Sequence, residues 1–171
     1  MTATAAFDLH ADCARCAALC CVALAFDRGE DFALDKPAQT PCPHLDAGFA
    51  CTIHDTLNAR GFSGCACYDC LGAGQRVTQD LFGGRDWRSD PALLGPMSEA
   101  FARLRQVHKD LDLLLAARAL PLPDATRAGL DALIARHMPT PDWTPETLAA
   151  FAATGAPAAV LRFLHNLRDQ V

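Results

Sequence analysis

The sequence predicts a mainly α-helical protein with a small β-hairpin, in which a cysteine-rich N-terminal half packs on a C-terminal helical bundle. Apolar residues make up 51% of the 171 residues and aromatic residues only 7%; much of the apolar share is Ala and Leu, which favour helix. In the second half, apolar residues recur at spacings of three and four, as on one face of a helix. All nine cysteines lie between Cys13 and Cys70. We therefore divide the chain into a cysteine-cluster region, 1–82, and a helical region, 83–171, packed as one unit.

The cysteine-rich half is expected to contain one helix and the hairpin. Asp12 is placed to cap a helix that runs from Cys13 to Phe26. The segment 49–54 contains two β-branched residues and is the better strand candidate. Cys42 and Cys51 flank the predicted hairpin, which would fold both cysteines onto the first cluster.

The second half carries repeated helix-start signals. The first is Asp90-Pro91, and Pro96 is expected to bend or restart the long helix that follows. Further helices are expected to start at Asp124 and at Thr144-Pro145, and a last one covers 158–168. The long helix has one apolar face, formed by Met97, Phe101, Leu104, His108, Leu111 and Leu115.

Eight of the nine cysteines are candidate metal ligands. Thiols concentrated in so short a span indicate a soft metal ion or an iron–sulfur cluster, because these are the centres that thiolate sulfur binds best. A zinc ion or a [4Fe-4S] cluster is therefore the expected cofactor. The candidate ligands are Cys13, Cys16, Cys20, Cys21, Cys42, Cys51, Cys65 and Cys70.

The spacing of the first cluster restricts its geometry. On a regular helix the rise from Cys13 to Cys20 is about 10.5 Å, which zinc–sulfur bonds of about 2.3 Å do not bridge. Either Cys13-x2-Cys16 lies on a non-helical turn before the helix, or the cluster serves more than one metal centre. A third reading treats Cys20 and Cys21 as small buried apolar residues. A four-thiolate site needs half of the eight cysteines, so eight suit two centres or one centre with structural thiols beside it.

The remaining candidates are ranked lower. Cys67 lies between Cys65 and Cys70 in a glycine-bounded loop, and we expect it to be the odd thiol. His44 and His54 each follow a cysteine within three residues, which leaves open whether either is a ligand or a hydrogen-bond partner of one.

Charge and composition limit the partners and the compartment. Residues 1–70 hold nine acidic and four basic residues, whereas 71–171 hold eleven of each, so the whole net charge of −5 lies on the cysteine half. Nucleic acid and anionic membrane are unsuitable partners for such a surface; a metal ion and a protein partner remain. No signal-peptide pattern or membrane-spanning apolar run is present, and clustered thiols in the expected cytoplasmic location are typically metal-binding or redox-active.

The cysteine pattern resembles the YkgJ-like cysteine-cluster family, which is described as a zinc- or iron-chelating domain. The resemblance rests on Cys-x2-Cys-x3-Cys-Cys at 13–21, Cys-Pro-His-Leu at 42–45, Cys-Thr-Ile-His-Asp at 51–55, and Cys65. The sequence departs from the family pattern in one extra residue before Cys20, in His54 where Tyr is usual, and in the residues before Cys65.

Two further resemblances indicate how much of the chain is covered and which metal it binds. The chain is similar to the N-terminal region of certain actinobacterial pentapeptide-repeat proteins, through Gly72-Ala-Gly-Gln75 and residues 83–88, although the repeats are absent. Flagellin lysine methylases carry a similar cysteine cluster, for which a [4Fe-4S] centre is described. The resemblances therefore imply metal binding and leave zinc and iron–sulfur both open.

Three functions fit these observations. The first is a cytoplasmic metal-binding protein that holds zinc or an iron–sulfur cluster. The second is an enzyme that modifies a protein or peptide and uses the metal centre, which requires an open coordination position and a substrate pocket. The third is a metal store or chaperone, whose sites exchange metal readily. The sequence contains no catalytic triad, paired carboxylates with acid–base spacing or cofactor loop that would favour the enzyme.

Overall fold

The computed structural model of the protein describes residues 8–169. The chain divides into two compact units, one ending at Phe101 and the other beginning at Ala102. The predicted boundary, between residues 82 and 83, lies before the longest helix and 19 residues ahead of the boundary between the two units. Residues 1–7 and 170–171 of the predicted regions lie outside the described range.

The first unit is built from short helical segments joined by turns. Its α-helices are α1 (Leu19–Ala23), α2 (Ser63–Cys67) and α3 (Ala73–Arg76), and a wider π turn, Val77–Leu81, continues α3. Single 3₁₀ turns occur at Cys13–Arg15, His54–Thr56, Asn58–Arg60 and Pro91–Leu93. The long helix α4 (Leu94–Ala117) begins in this unit and ends in the second. The large buried apolar residues of the unit include Met97 and Phe101 of α4 together with Leu19, Val22, Val77 and Trp87.

The expected helix from Cys13 to Phe26 is broken near its start. Asp12 caps only the 3₁₀ turn, where its side chain accepts a hydrogen bond from the Ala14 amide (3.1 Å). Cys16 is then extended, and Ala18 has a left-handed backbone with φ of 52°. A left-handed residue cannot continue a right-handed helix, so α1 is only five residues long. Cys13-x2-Cys16 therefore lies on a turn before the helix, the first of the two geometries considered.

The predicted β-hairpin is wrong. Between residues 8 and 169 the structure has no β-strand, and Leu45 and Cys51 form only a single antiparallel bridge. The Asp46 side chain closes the intervening loop, because one carboxylate oxygen accepts from the amides of Gly48 and Ala50 (2.8 Å each). Beyond Cys51 the chain turns into a 3₁₀ helix, so the pairing stops after one residue pair.

The second unit is helical, as predicted. It contains the rest of α4, then α5 (Asp124–His137), α6 (Pro145–Ala152) and α7 (Ala156–Asn166). Pro96 lies in the first turn of α4, where its missing amide has no helical acceptor, and the helix continues from there to Ala117. Thr144 and Thr147 form a capping box at the start of α6. The buried residues of the unit include Leu104, Leu111, Leu114, Leu130, Leu148 and Val160.

None of the helices within residues 8–169 is both long and apolar enough to cross a bilayer alone. α6 and α7 meet the length and composition criteria only as a pair, and that pair is bent by 54°.

Candidate metal centre

A single cavity in the first unit collects the candidate ligands. Its volume is about 490 Å³, and its walls include all eight cysteines predicted as ligands. All nine cysteines of the chain are free thiols. Cys67, the thiol ranked last, is exposed and does not line the cavity. Four separate chain segments supply the eight thiols: residues 13–21, 42, 51 and 65–70. Whether these thiols bind metal stays a prediction.

Two of these sulfurs face the backbone of α3. A Cβ atom added to Gly74 would lie 2.6 Å from the Cys16 sulfur and 3.8 Å from the Cys70 sulfur. Both sulfurs therefore lie against the same turn of α3, and a side chain at Gly74 would occupy the space that they share. Cys70 is the first of the ionisable groups that interact with the Cys13 thiol, followed by Cys21. This end of the cavity thus brings together thiols from both ends of the cysteine-rich segment.

Glutamine side chains after Cys70 hold the turn that carries Cys13. Gln75 is buried; its side-chain oxygen accepts from the Asp12 amide (3.1 Å) and its side-chain amide donates to the His10 carbonyl (2.7 Å). Gln79, one helical turn later, donates to the Arg15 carbonyl (2.8 Å). Because the three backbone groups belong to the turn around Cys13, these bonds fix its position against α3.

Thr78 and Trp87 hold the next segment of backbone. The Thr78 hydroxyl accepts from the Ala17 amide and donates to the Gly74 carbonyl, each at 3.0 Å. The Trp87 indole donates to the Ala17 carbonyl at 2.7 Å. Ala17 is 2% exposed, so both of its polar groups need these partners. Thr78 and Trp87 therefore provide hydrogen-bond partners for both backbone groups of Ala17. These bonds fix the backbone beside Ala18, and so account for its left-handed conformation, which alanine does not favour.

The other end of the cavity is built around Cys21. The sulfurs of Cys20 and Cys21 are 3.8 Å apart. The Cys42 amide donates to the Cys21 carbonyl (3.0 Å), which ties the 42–51 loop to α1. The Cys65 thiol, on α2, faces the thiols of Cys21, Cys42 and Cys51.

A buried lysine lies beside this second group of thiols. Lys36 is 3% exposed, and its ammonium group donates to four backbone carbonyls and lies 4.7 Å from the centre of the Phe26 ring. Among residues 8–169 it has no carboxylate partner within 4 Å. The ionisable groups that interact with it are instead the thiols of Cys42, Cys21, Cys65 and Cys20. The four carbonyls belong to Val22, Leu24, Pro37 and Thr40.

Burial keeps most of the thiols protonated at neutral pH. It raises the pKa of Cys16 and of Cys65 to about 11, with repulsion from neighbouring thiolates adding to the effect. Cys21 is the exception: the hydrogen bond from the Cys20 thiol lowers its pKa to about 7, and the Lys36 charge acts in the same direction. A metal ion must therefore displace protons from most of these sulfurs when it binds.

The donor set fits a soft metal in chemistry, but its present spacing is wider than coordination requires. In a tetrahedral zinc site with 2.3 Å bonds, neighbouring sulfurs lie about 3.8 Å apart. Cys20 and Cys21 meet that distance. Within residues 8–169, however, no three His, Cys, Asp or Glu side chains are arranged to hold one ion. Metal binding therefore requires the thiols to move inward across the cavity.

The two candidate histidines differ in setting. His44 is half-buried and packs edge-on against the Phe62 ring, with 5.2 Å between ring centres. His54 is exposed, and its Nδ1 lies 3.4 Å from an Asp55 carboxylate oxygen. Both line the cavity.

Sequence reasoning missed the residues that support the thiols. Lys36, Gly74, Gln75, Thr78 and Trp87 are not cysteines and lie up to 70 positions from the groups they contact. The signal that pointed to three of them was the resemblance through Gly72-Ala-Gly-Gln75 and 83–88, for which the sequence alone offered no physical reason. The hydrogen bonds to the Cys13–Ala17 backbone supply that reason.

Comparison with known proteins gives limited information. The chain is 42% identical to the "Uncharacterized protein YybG" of Bacillus subtilis (strain 168) over 116 residues. These residues are 68% of this chain and 42% of the relative, so the chain spans about two fifths of the relative's length. No family model and no solved structure matches the chain. The resemblances to the YkgJ-like family and to the pentapeptide-repeat proteins therefore stay predictions.

Proposed function

We propose that this chain is a cytoplasmic metal-binding protein that holds zinc or an iron–sulfur cluster through cysteine thiolates. One observation carries the proposal: eight thiols from four chain segments line the same cavity, and the ninth, Cys67, does not. Packing alone does not call for eight thiols around one space. Thiolate sulfur binds zinc and iron–sulfur clusters alike, so the donor set suits either.

Binding would be coupled to folding. The first unit has short helices and no strand in its described residues, and its cavity walls come from segments that few backbone hydrogen bonds connect. A metal bound by thiols from several segments would join them directly. Part of the metal-binding free energy then becomes folding free energy, and the inward movement of the thiols is part of the same step.

Thermal unfolding with and without a chelator tests the proposal. We expect the protein purified without oxygen to unfold cooperatively. A strong chelator should remove the metal and lower the melting temperature by several degrees. Cys51→Ser should produce the same loss without chelator, because it removes a cavity thiol. Cys67→Ser is the matched control and should melt like the unaltered chain. Equal melting of metal-loaded and fully metal-free, reduced protein would contradict the proposal.

A further inference from the structure

The loop from Cys42 to Cys51, called here the 42–51 loop, forms one wall of the thiol cavity. Four consecutive residues of the loop, 48–51, line the cavity, and so does Cys42 at its other end. Both end residues are candidate metal ligands. The position of this loop therefore decides where two of the eight thiols lie.

Arg88 attaches the 42–51 loop near its tip. The Arg88 guanidinium donates a hydrogen bond to the Asp46 carbonyl. Among residues 8–169, the other hydrogen bonds of residues 43–50 stay within the loop and the residue that follows it, Thr52. The same guanidinium lies over the Phe49 ring, with 4.5 Å between Cζ and the ring centre. Arg88 therefore holds both the backbone and a side chain of the loop.

Trp87 connects this attachment to the first cysteine cluster. Its ring packs edge-on against Phe49, with 5.6 Å between ring centres, and the Arg88 Cζ lies 5.0 Å from the centre of the Trp87 ring. The indole nitrogen of Trp87 donates to the Ala17 carbonyl at 2.7 Å. Trp87 and Arg88 thus form a brace between the backbone at Ala17 and the 42–51 loop.

The brace has a fixed base and holds an unfavourable conformation at its other end. The Asp86 carboxylate accepts from the amides of Arg88 and Ser89 (2.9 and 2.8 Å), which fixes the turn that carries the brace. Phe49 has a left-handed backbone with φ of 66°, which a residue with a Cβ atom disfavours. Such a conformation persists where its surroundings hold it. The contacts of the Phe49 ring with Trp87 and Arg88 supply that hold, so we expect the loop to relax when they are removed.

We propose that the Trp87–Arg88 brace holds the 42–51 loop on the cavity for metal binding, with Arg88 as a positioning residue for Cys42 and Cys51. This proposal rests on the proposed function. Metal binding requires the thiols to move inward, and a loop that is already held on the cavity loses less conformational freedom in that step. Removal of Arg88 should therefore lower the affinity of this loop's thiols for metal.

Alkylation of the full, metal-free, reduced chain tests the brace without metal. Cys42 is 9% exposed, so its thiol should react slowly with iodoacetamide. Arg88→Ala should raise the rate at Cys42 about tenfold by peptide mass spectrometry, because the stacking contacts and the hydrogen bond to the loop are lost. Cys16, which the Trp87–Ala17 bond still supports, should keep its rate.

The matched control is Arg85→Ala, which removes the same charge from an exposed side chain that bonds only to the nearby Phe82 carbonyl among residues 8–169. It should leave the rate at Cys42 unchanged. An unchanged rate at Cys42 in Arg88→Ala would overturn the proposal. An equal rise at Cys16 and Cys42 would also overturn it, because it would show general unfolding rather than release of the loop.

Zinc protection against the same alkylation then tests the effect on metal binding. Arg88→Ala should need about tenfold more zinc to protect Cys42 and Cys51, while Cys16 stays protected at the original concentration. Arg88→Lys should recover part of the difference, since lysine keeps the charge and a donor but cannot stack flat on the rings. An equal loss of protection at all three thiols would overturn the positioning role. If the unaltered chain takes up neither zinc nor an iron–sulfur cluster, the proposed function fails, whereas the metal-free alkylation still decides whether the brace holds the loop.

Discussion

Replacement of Gly74 by alanine tests the packing of sulfur against α3. The new Cβ would lie 2.6 Å from the Cys16 sulfur, whereas ordinary van der Waals contact begins at 3.4 Å, so the sulfur must move by about 0.8 Å. The new methyl group would occupy the space that the Cys16 and Cys70 sulfurs share. Gly74→Ala should therefore displace the Cys16 sulfur and weaken metal binding through it.

The effect on folding should be smaller than the effect on metal. Gly74 lies in helical backbone, so alanine gains about 0.5–1 kcal/mol in helix propensity. Overpacking costs about 1–3 kcal/mol, and rotation of the short Cys16 side chain relieves part of it. We expect a net loss in the free energy of unfolding of the metal-free protein of about 2 kcal/mol or less.

Gly95→Ala is the matched control, because a Cβ at Gly95 meets nothing within 4 Å and the residue is also helical. Zinc per chain, measured after purification of both variants, should fall in Gly74→Ala and stay unchanged in Gly95→Ala. Metal content and affinity equal to those of the unaltered chain in Gly74→Ala would refute the reasoning, since the new methyl group occupies the space of the Cys16 sulfur.

Two further predictions concern stability. Trp87→Phe should lower the free energy of unfolding by about 1–3 kcal/mol in a urea titration, because the buried Ala17 carbonyl loses its indole donor. Trp143 is equally buried, and its indole nitrogen has no hydrogen-bond partner among the described residues, so Trp143→Phe should cost less; equal losses would show that the Ala17 bond contributes nothing. The melting temperature of the metal-free protein should fall as pH rises from 9 to 11. Burial raises the pKa of Cys16 and Cys65 to about 11 from an ordinary value of 9.0, so their contribution is complete below pH 9 and is lost through pH 11. A constant melting temperature over that range would contradict the burial of these thiols.

The cysteine spacing predicted eight thiols as metal ligands, because clustered thiols have few other uses in a chain of this composition. Those eight thiols line one cavity, and their binding of metal stays a prediction. The start signals at Asp124 and Thr144-Pro145 predicted two helix boundaries, because both act locally in sequence: Thr144 caps α6, and the Asp124 carboxylate lies in the first turn of α5. Local sequence signals did not predict the break in the first helix at Ala18. Alanine favours helix, but the bonds from Thr78 and Trp87 to Ala17, 61 and 70 residues away in sequence, hold the backbone in another conformation.

The prediction of the hairpin was wrong for a related reason. The segment has strand propensity, but the Asp46 side chain takes the Ala50 amide, which the next residue pair would have used, and the chain turns into a 3₁₀ helix at His54. Sequence patterns were equally uninformative for Lys36, whose partners are backbone carbonyls from two segments, 22–24 and 37–40. Hydrogen bonds to backbone carry no residue-type signal at the accepting end, so spacing and composition could not locate them.

The central claim is that the cavity thiols hold metal, and the most direct measurement is the metal content and absorbance of the full chain purified without oxygen. The proposal predicts stoichiometric zinc in colourless protein, or iron with broad absorbance near about 400 nm. It also predicts that Cys16→Ser and Cys51→Ser lose metal while Cys67→Ser retains it. Protein that is purified free of both metals, and that takes up neither zinc nor an iron–sulfur cluster when these are supplied, would contradict the claim.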